Sequence, residues 1–180
     1  GVYPDALRTV RNGEFDFVIC LMSERPKEEG LCCELLLPDR LIPAVHTGHP
    51  LTKERRRLVD LVDSDWVIYR RGQSGRDVFE QTFVAAGLKP PKSTIECASF
   101  ACTLALVERG DYITLVPKQI FSGGTVRSDI TPITMDTAMP AWNIAVFYRS
   151  ESELSPVCRA FLQELQATAT RILASSTIVD

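Results

Sequence analysis

Few side chains in this sequence could do acid–base or metal chemistry, and their spacing works against both. His46 and His49 are the only histidines. Three residues apart, they could share one face of a helix, but Gly48 and Pro50 flank His49 and place the pair in a turn. No neighbouring cysteine or carboxylate completes a ligand set. Cys32 and Cys33 are adjacent, so on a strand they point to opposite faces and cannot share one ion. There is no Gly-x-Ser-x-Gly elbow, no His-Glu-x-x-His and no glycine-rich phosphate loop, and no serine has an evident general base. These absences imply no enzyme, no catalytic residue, no metal and no cofactor.

What remains is a set of hydroxyls, amides and arginines at places where strands run into helices. In "DWVIYRRGQSGRDVFEQTF", residues 65–83, an apolar run gives way to glycines and then to an amphipathic pattern. Gly72 and Gly75 let backbone approach a ligand closely, Gln73 offers amide donors, and Ser74 stands at the expected N-cap of a helix over 76–86. Ser99 heads a second helix, "FACTLALVERG", and Ser23 follows the strand ending at Leu21. Unpaired N–H groups and the helix dipole at such termini favour an anion. Arg70 and Arg71 lie beside the first junction on opposite faces of a strand, so one of them can clamp that anion. Val116, with Pro117 at the end of a later strand, supplies apolar wall.

The elements that must hold these residues follow from pattern. With 180 residues, 45% hydrophobic and 24% charged, the chain can bury one large core or two small ones. A net charge of −3, with 20 basic residues interspersed among 23 acidic ones, gives no overall attraction to polyanions. The run Lys53–Arg57 lacks interleaved aromatics and reads as a solvated turn. No stretch approaches the ~20 apolar residues of a membrane span, and the start lacks a signal-peptide pattern, so the chain reads as cytoplasmic. Its six cysteines read as thiols, because a chain this apolar needs no disulfide staples.

Tyr3 to Asn12 reads as a helix stopped by Gly13. Residues 15–21 read as a strand covered on both faces of a parallel sheet, and 31–51 as two strands separated by Pro38-Asp39. From Leu58 to Pro117 helix and strand alternate, the sequence form of parallel α/β architecture. Residues 141–149 read as a strand, and Ser155-Pro156 opens a long helix with Val157, Phe161, Leu162, Leu165, Ala169 and Ile172 on its apolar side.

Five of these pieces occur in a familiar order: "LRTVRNGEFDFVI", "DRLIPAVHTGHPLT", "DWVIYRRGQSGRDVFEQTFVAAGLKPP", "LVERGDYITLVP" and "ELSPVCRAFLQEL". Together, over about residues 3 to 172, they resemble the effector-binding domain of LysR-type transcriptional regulators. The resemblance implies an α/β fold of two subdomains joined by two crossover strands, similar to type 2 periplasmic solute-binding proteins. Subdomain I would be 1–47 plus 126–180 and subdomain II 52–121, with hinges at 48–51 and 122–125. It also implies a small anionic effector (carboxylate, sulfonate or sulfate-like) in a cleft between the subdomains, and assembly as a homodimer or homotetramer through helices 3–12 and 99–109. DNA would be bound only by a winged helix-turn-helix domain which, with the opening strand-helix-strand of subdomain I, should stand before Gly1. Two other readings share the fold: a solute-binding transport module, and a redox sensor working through Cys97, Cys102 or Cys20.

Overall fold

The structure, a computed structural model, describes residues 3–22, 30–71, 74–92, 94–121, 129–137, 139–150 and 154–176. Ser23, Gly72 and Gln73 therefore lie outside the described residues. The chain divides into two compact units, Gly1–Asp39 with Ala141–Asp180, and Arg40–Pro140.

In the first unit, α1 (Tyr3–Arg11), β1 (Phe17–Met22), the first part of β2 (Cys32–His46), β7 (Ala141–Tyr148) and α4 (Pro156–Ser176) form a helix-sheet-helix sandwich with strand order β1-β7-β2. Alternation along β7 explains the layers. Ala145 and Phe147 pack with Leu7 of α1 and Met22, whereas Val146 and Tyr148 pack with Leu162 and Ala169 of α4. Arg149 closes the open end of α1 by donating to the Val10 carbonyl at 2.6 Å and the Phe15 carbonyl at 3.0 Å. The sequence reading of β1 needs correction. It pairs antiparallel with β7, Phe17 opposite Tyr148, and Ile19 is 44% exposed. A continuous apolar run cannot by itself distinguish a doubly covered parallel strand from an antiparallel edge. On α4, Leu162, Leu165, Ala169 and Ile172 join the core, but Val157 and Phe161 stay exposed, Phe161 stacking on Phe17 at 5.4 Å.

The second correction concerns residues 31–51. β2 is one uninterrupted strand, not two. Pro38-Asp39 marks where the strand passes between units, with Leu41–Ala44 pairing to β5 and Ala44–His46 to β6 (Ile130–Pro132). A proline cannot donate to a ladder, so it is tolerated where strand partners change. This division falls within β2, ahead of the hinge expected at 48–51.

The second unit contains the alternation read from sequence. β3 (Val67–Ile68) and β4 (Ile95–Glu96) are parallel, and Trp66 bridges Ile113 in parallel sense just before β5 (Thr114–Pro117). α2 (Ser74–Ala85) follows β3 and α3 (Phe100–Arg109) follows β4. α2 rests on an aromatic cluster in which Trp66 meets Phe79 at 4.9 Å and Phe83 at 6.0 Å, while the indole N–H donates to the Leu61 carbonyl at 3.0 Å. α3 rests instead on aliphatic packing of Leu104 and Val107 against Ala44, Val116 and Ile130. Residues 58–61, expected as helix, form one 3-10 turn.

Candidate functional site

Parallel strands carry their following helices away from the same sheet edge, so the β3–α2 and β4–α3 junctions stand side by side. The Cys97 N–H donates to the Ile68 carbonyl at 2.9 Å, which ties the two turns together at their bases.

At the first junction, β3 ends at Ile68, so Arg70 and Arg71 lie beyond the strand, both exposed, and strand alternation does not separate them. Helix α2 begins at Ser74. Gly75 is required by packing: a Cβ there would stand 2.5 Å from the Tyr69 ring. The Tyr69 hydroxyl donates to the Leu115 carbonyl at 3.3 Å, and burial pushes this phenol up to about 12. The next residue, Arg76, was not singled out by sequence. It is 5% exposed, with Nε 2.6 Å from Glu80 and Nη1 3.2 Å from Glu96 of β4. The i, i+4 spacing to Glu80 was visible in the sequence; the Glu96 contact, across the parallel pair, was not. Two carboxylates neutralise this arginine, so it fastens the junction.

At the second junction, Ser99 is the N-cap of α3. Its backbone is extended (φ −101°, ψ 118°), its Oγ accepts from the Cys102 N–H at 3.3 Å, and its carbonyl accepts from the Thr103 N–H and hydroxyl at 2.9 and 3.1 Å. Ser99 is exposed, so the hydroxyl can meet solvent or a ligand while it caps. Val116 is completely buried in the cluster under α3, which makes its side chain core where ligand wall was expected.

A third group gathers at the end of β2. His46 Nε2 lies 3.1 Å from Asp111, and its Nδ1 is 3.0 Å from the Thr47 carbonyl. Carbonyl and carboxylate oxygens both accept, so each contact is a hydrogen bond only when the ring nitrogen making it carries a proton. Asp111 is the acid that local sequence could not supply, being 65 positions away. His49 stands 5.1 Å from His46, ring to ring, but its Nδ1 accepts the Leu51 N–H at 3.1 Å, which leaves the proton on the outer nitrogen. Burial, then His46, hold the His49 imidazole below its ordinary pKa against the pull of Asp111. The ligand atoms of His46, His49 and Asp111 lie within 4.8 Å of one another, yet in this tautomer His49 offers an ion no lone pair.

Two concavities lie among the described residues of the second unit, away from the junctions' helix starts. One, bounded by Val62, Asp65, Pro91 and Thr94, lies at the N-terminal edge of the β3–β4 pair. The other, bounded by Leu58, Thr82, Ala86, Met135 and Met139, lies at the C-terminal half of α2. Ser99 lines neither of them.

Paired strand-to-helix junctions of this kind define an α/β domain of the periplasmic-binding-protein-like class. Within that class the chain belongs to the LysR substrate binding domain family, whose sequence model matches residues 1–170. Among curated relatives it is 27% identical over 162 residues to the HTH-type transcriptional regulator GbpR of Azospirillum brasilense, covering 89% of this chain and 47% of that protein. It is 25% identical over 167 residues to the HTH-type regulator GalR of Pseudomonas putida, covering 92% and 42%. The chain thus spans about half the length of the curated relatives it matches. Solved structures with the same fold include the Synechocystis CcmR regulatory domain in complex with 2-PG (TM-score 0.74, 22% identity, 90% of this chain and 77% of that one). The effector binding domain of QuiR in complex with shikimate is similar (TM-score 0.75, 18% identity, 95% and 79%). So is full-length CbnR complexed with its target DNA (TM-score 0.68, 18% identity, 92% and 55%). No described helix is long and apolar enough to cross a membrane.

Proposed function

We propose that this chain is the ligand-sensing and oligomerising part of a bacterial transcriptional regulator, and that it holds a small anion at the edge where β3 and β4 run into α2 and α3. The observation that carries this reading is the exposed N-cap Ser99 after a strand that runs parallel to, and is hydrogen-bonded with, the strand leading into Ser74. Two helix N-termini then present N–H groups and positive dipole ends toward one edge, with hydroxyls beside them. Ser74 and Ser99 are the central contacts, and the sequence puts Gly72, Gln73 and Arg70 beside them. Arg76 is excluded from the site by its two carboxylate partners. Relatives named as HTH-type regulators support the regulatory role, with DNA bound by a helix-turn-helix domain elsewhere in the same protein. Occupancy reaches that domain only if the ligand binds one arrangement of subunits more tightly than another.

A thermal-shift screen over carboxylates, sulfonates and sulfate tests the site. A ligand at about 100 times its dissociation constant adds about 2.7 kcal/mol of stability. Ser74→Ala and Ser99→Ala should each reduce that gain while the unliganded domain still folds. If both variants respond as the parent does, the anion site lies elsewhere.

A further inference from the structure

The end of β2 carries a cluster that the anion site does not use. The His49 N–H donates to the His46 carbonyl at 3.2 Å and closes a turn in which Gly48 takes φ +89°, so the two histidines meet ring to ring at 5.1 Å without a helix. Gly110 ends α3, and the next residue, Asp111, brings its carboxylate to 3.1 Å from His46 Nε2. All three residues belong to the second unit. The Thr47 carbonyl and the Asp111 carboxylate can both be hydrogen-bonded only by a doubly protonated His46 ring. When the ring is neutral and its proton stays on Nδ1, beside the Thr47 carbonyl, the Nε2 lone pair faces the carboxylate, and only a cation between them relieves the repulsion. A ring held by a main-chain carbonyl on one nitrogen, with the other nitrogen bare, has the orientation of a metal-ligating imidazole. We propose that His46, His49 and Asp111 form a site for a transition-metal dication of the zinc class, with water completing its coordination.

Distances favour such an ion. Two atoms bound about 2.0–2.1 Å from one tetrahedral ion stand about 3.3 Å apart. His46 Nε2 and Asp111 Oδ1, at 3.1 Å, therefore already span one edge of the coordination tetrahedron. The His49 nitrogen, within 4.8 Å of both, has to move inward and give up a bond. Metal on its Nδ1 displaces the Leu51 N–H, and metal on its Nε2 leaves the proton on Nδ1, so in either case Leu51 loses its acceptor. The turn survives that loss, because its other bonds do not involve the ring. The Thr52 N–H and hydroxyl donate to the His49 carbonyl at 3.1 and 2.7 Å, and Arg56 donates to the Pro50 and Leu51 carbonyls at 3.2 and 3.4 Å. Burial, then His46, hold His49 below its ordinary pKa, which favours the neutral ring that a metal needs. Asp111, 88% exposed, can adjust to the ion and leaves a coordination position open to water. Two imidazoles and one carboxylate suit Zn2+, Co2+ or Ni2+, whereas Mg2+ and Ca2+ require shells of oxygen. The bound ion joins the end of β2, the turn at 49–52 and the connection between α3 and β5.

The test titrates Co2+ and then Zn2+ into the chain, kept reduced, freed of metal by a chelator and carrying no affinity tag. Co2+ should give the visible absorption of a nitrogen- and oxygen-ligated site without a thiolate charge-transfer band. One equivalent of Zn2+ should abolish that absorption, and excess Mg2+ or Ca2+ should leave it. His46→Gln, His49→Gln and Asp111→Asn should each weaken Zn2+ binding at least tenfold, since losing a ligand costs more than losing the group that orients one. Asp111→Asn keeps the result interpretable, because a nearly isosteric change at an exposed residue should leave the urea midpoint in chelator unchanged. The six cysteines are the competing ligands. A thiolate charge-transfer band, with Zn2+ affinity unchanged in His46→Gln or Asp111→Asn, would place the metal on sulfur and overturn the site. Unchanged affinity in His49→Gln would equally overturn the three-residue set, as would a parent chain that gives neither a Co2+ spectrum nor heat with Zn2+. None of these outcomes depends on the anion screen, so this site and the proposed function stand or fall separately.

Discussion

The β3–α2 and β4–α3 junctions have the same topology and are held by different chemistry. The first is locked by side chains. Gly75 admits the Tyr69 ring, and Arg76 joins α2 to the neighbouring strand through Glu80 and Glu96, above an aromatic floor. The second is held mainly by backbone and cap: Ser99, the Cys97 thiol on its carbonyl and an aliphatic floor. A junction locked by buried groups tolerates little change, whereas one held by exposed, exchangeable bonds can respond to a ligand.

The largest test of this contrast removes the floor of one junction only. Trp66→Ala deletes a side chain 1% exposed that meets Phe79 and Phe83 edge to face, and should cost about 3–5 kcal/mol in urea unfolding. Amide exchange should rise more in α2 than in α3, because α3 packs on Leu104, Val107 and Val116. Equal loss in both helices would make the unit one cooperative block and dissolve the distinction.

Next in size is the lock itself. Arg76→Ala removes the ion pairs to Glu80 and Glu96, whose carboxylates are 37% and 41% exposed. Because water can reach both, the cost should be about 2 kcal/mol, below the 3–5 of a fully buried pair. Arg76→Met, which keeps the apolar stem, should recover part of it. A urea midpoint that does not move in either variant would show that packing around Gly75 suffices.

What could be read in advance divides along the same line. Local devices were legible: the Ser155-Pro156 start of α4, with the Ser155 hydroxyl accepting from the Cys158 N–H at 3.2 Å, the Gly87 stop with φ +71°, and the Ser99 cap. Each depends on residues within one turn of itself. The partner change at Pro38, the antiparallel setting of β1, the Arg76–Glu96 contact and the meeting of Asp111 with His46 are non-local. They depend on which strands become neighbours, and side-chain periodicity carries no such information. For the candidate site, Ser99 and the helix starts were therefore legible, but the roles of Arg76 and Val116 were not.

Tyr69 gives a smaller, pH-dependent test of the locked junction. Burial raises its folded-state pKa to about 12 from the ordinary 10. The unfolded chain therefore loses this proton first as pH rises. Stability is fully present below about pH 10 and falls through about pH 12, by about 1.4 kcal/mol at about pH 11. Tyr69→Phe should flatten that limb of the stability profile, at a neutral-pH cost of about 1 kcal/mol for the lost bond to Leu115. An unchanged alkaline limb would mean that another group carries it.

The smallest stability effect is at the second junction, where it separates capping from ligand binding. Ser99→Ala removes the acceptor of the Cys102 N–H and should cost about 1 kcal/mol, so weaker anion binding in that variant could follow from a frayed helix alone. Ser99→Asp keeps an acceptor at the N-cap and adds a negative charge that the α3 dipole favours, so its stability should stay within about 0.5 kcal/mol of the parent. The same charge stands where an anion would need the exposed N–H groups. A capping role alone predicts that Ser99→Asp binds the best anion of the screen as the parent does; a ligand role predicts that binding is lost while urea and thermal midpoints hold. Isothermal titration of the three proteins decides between them.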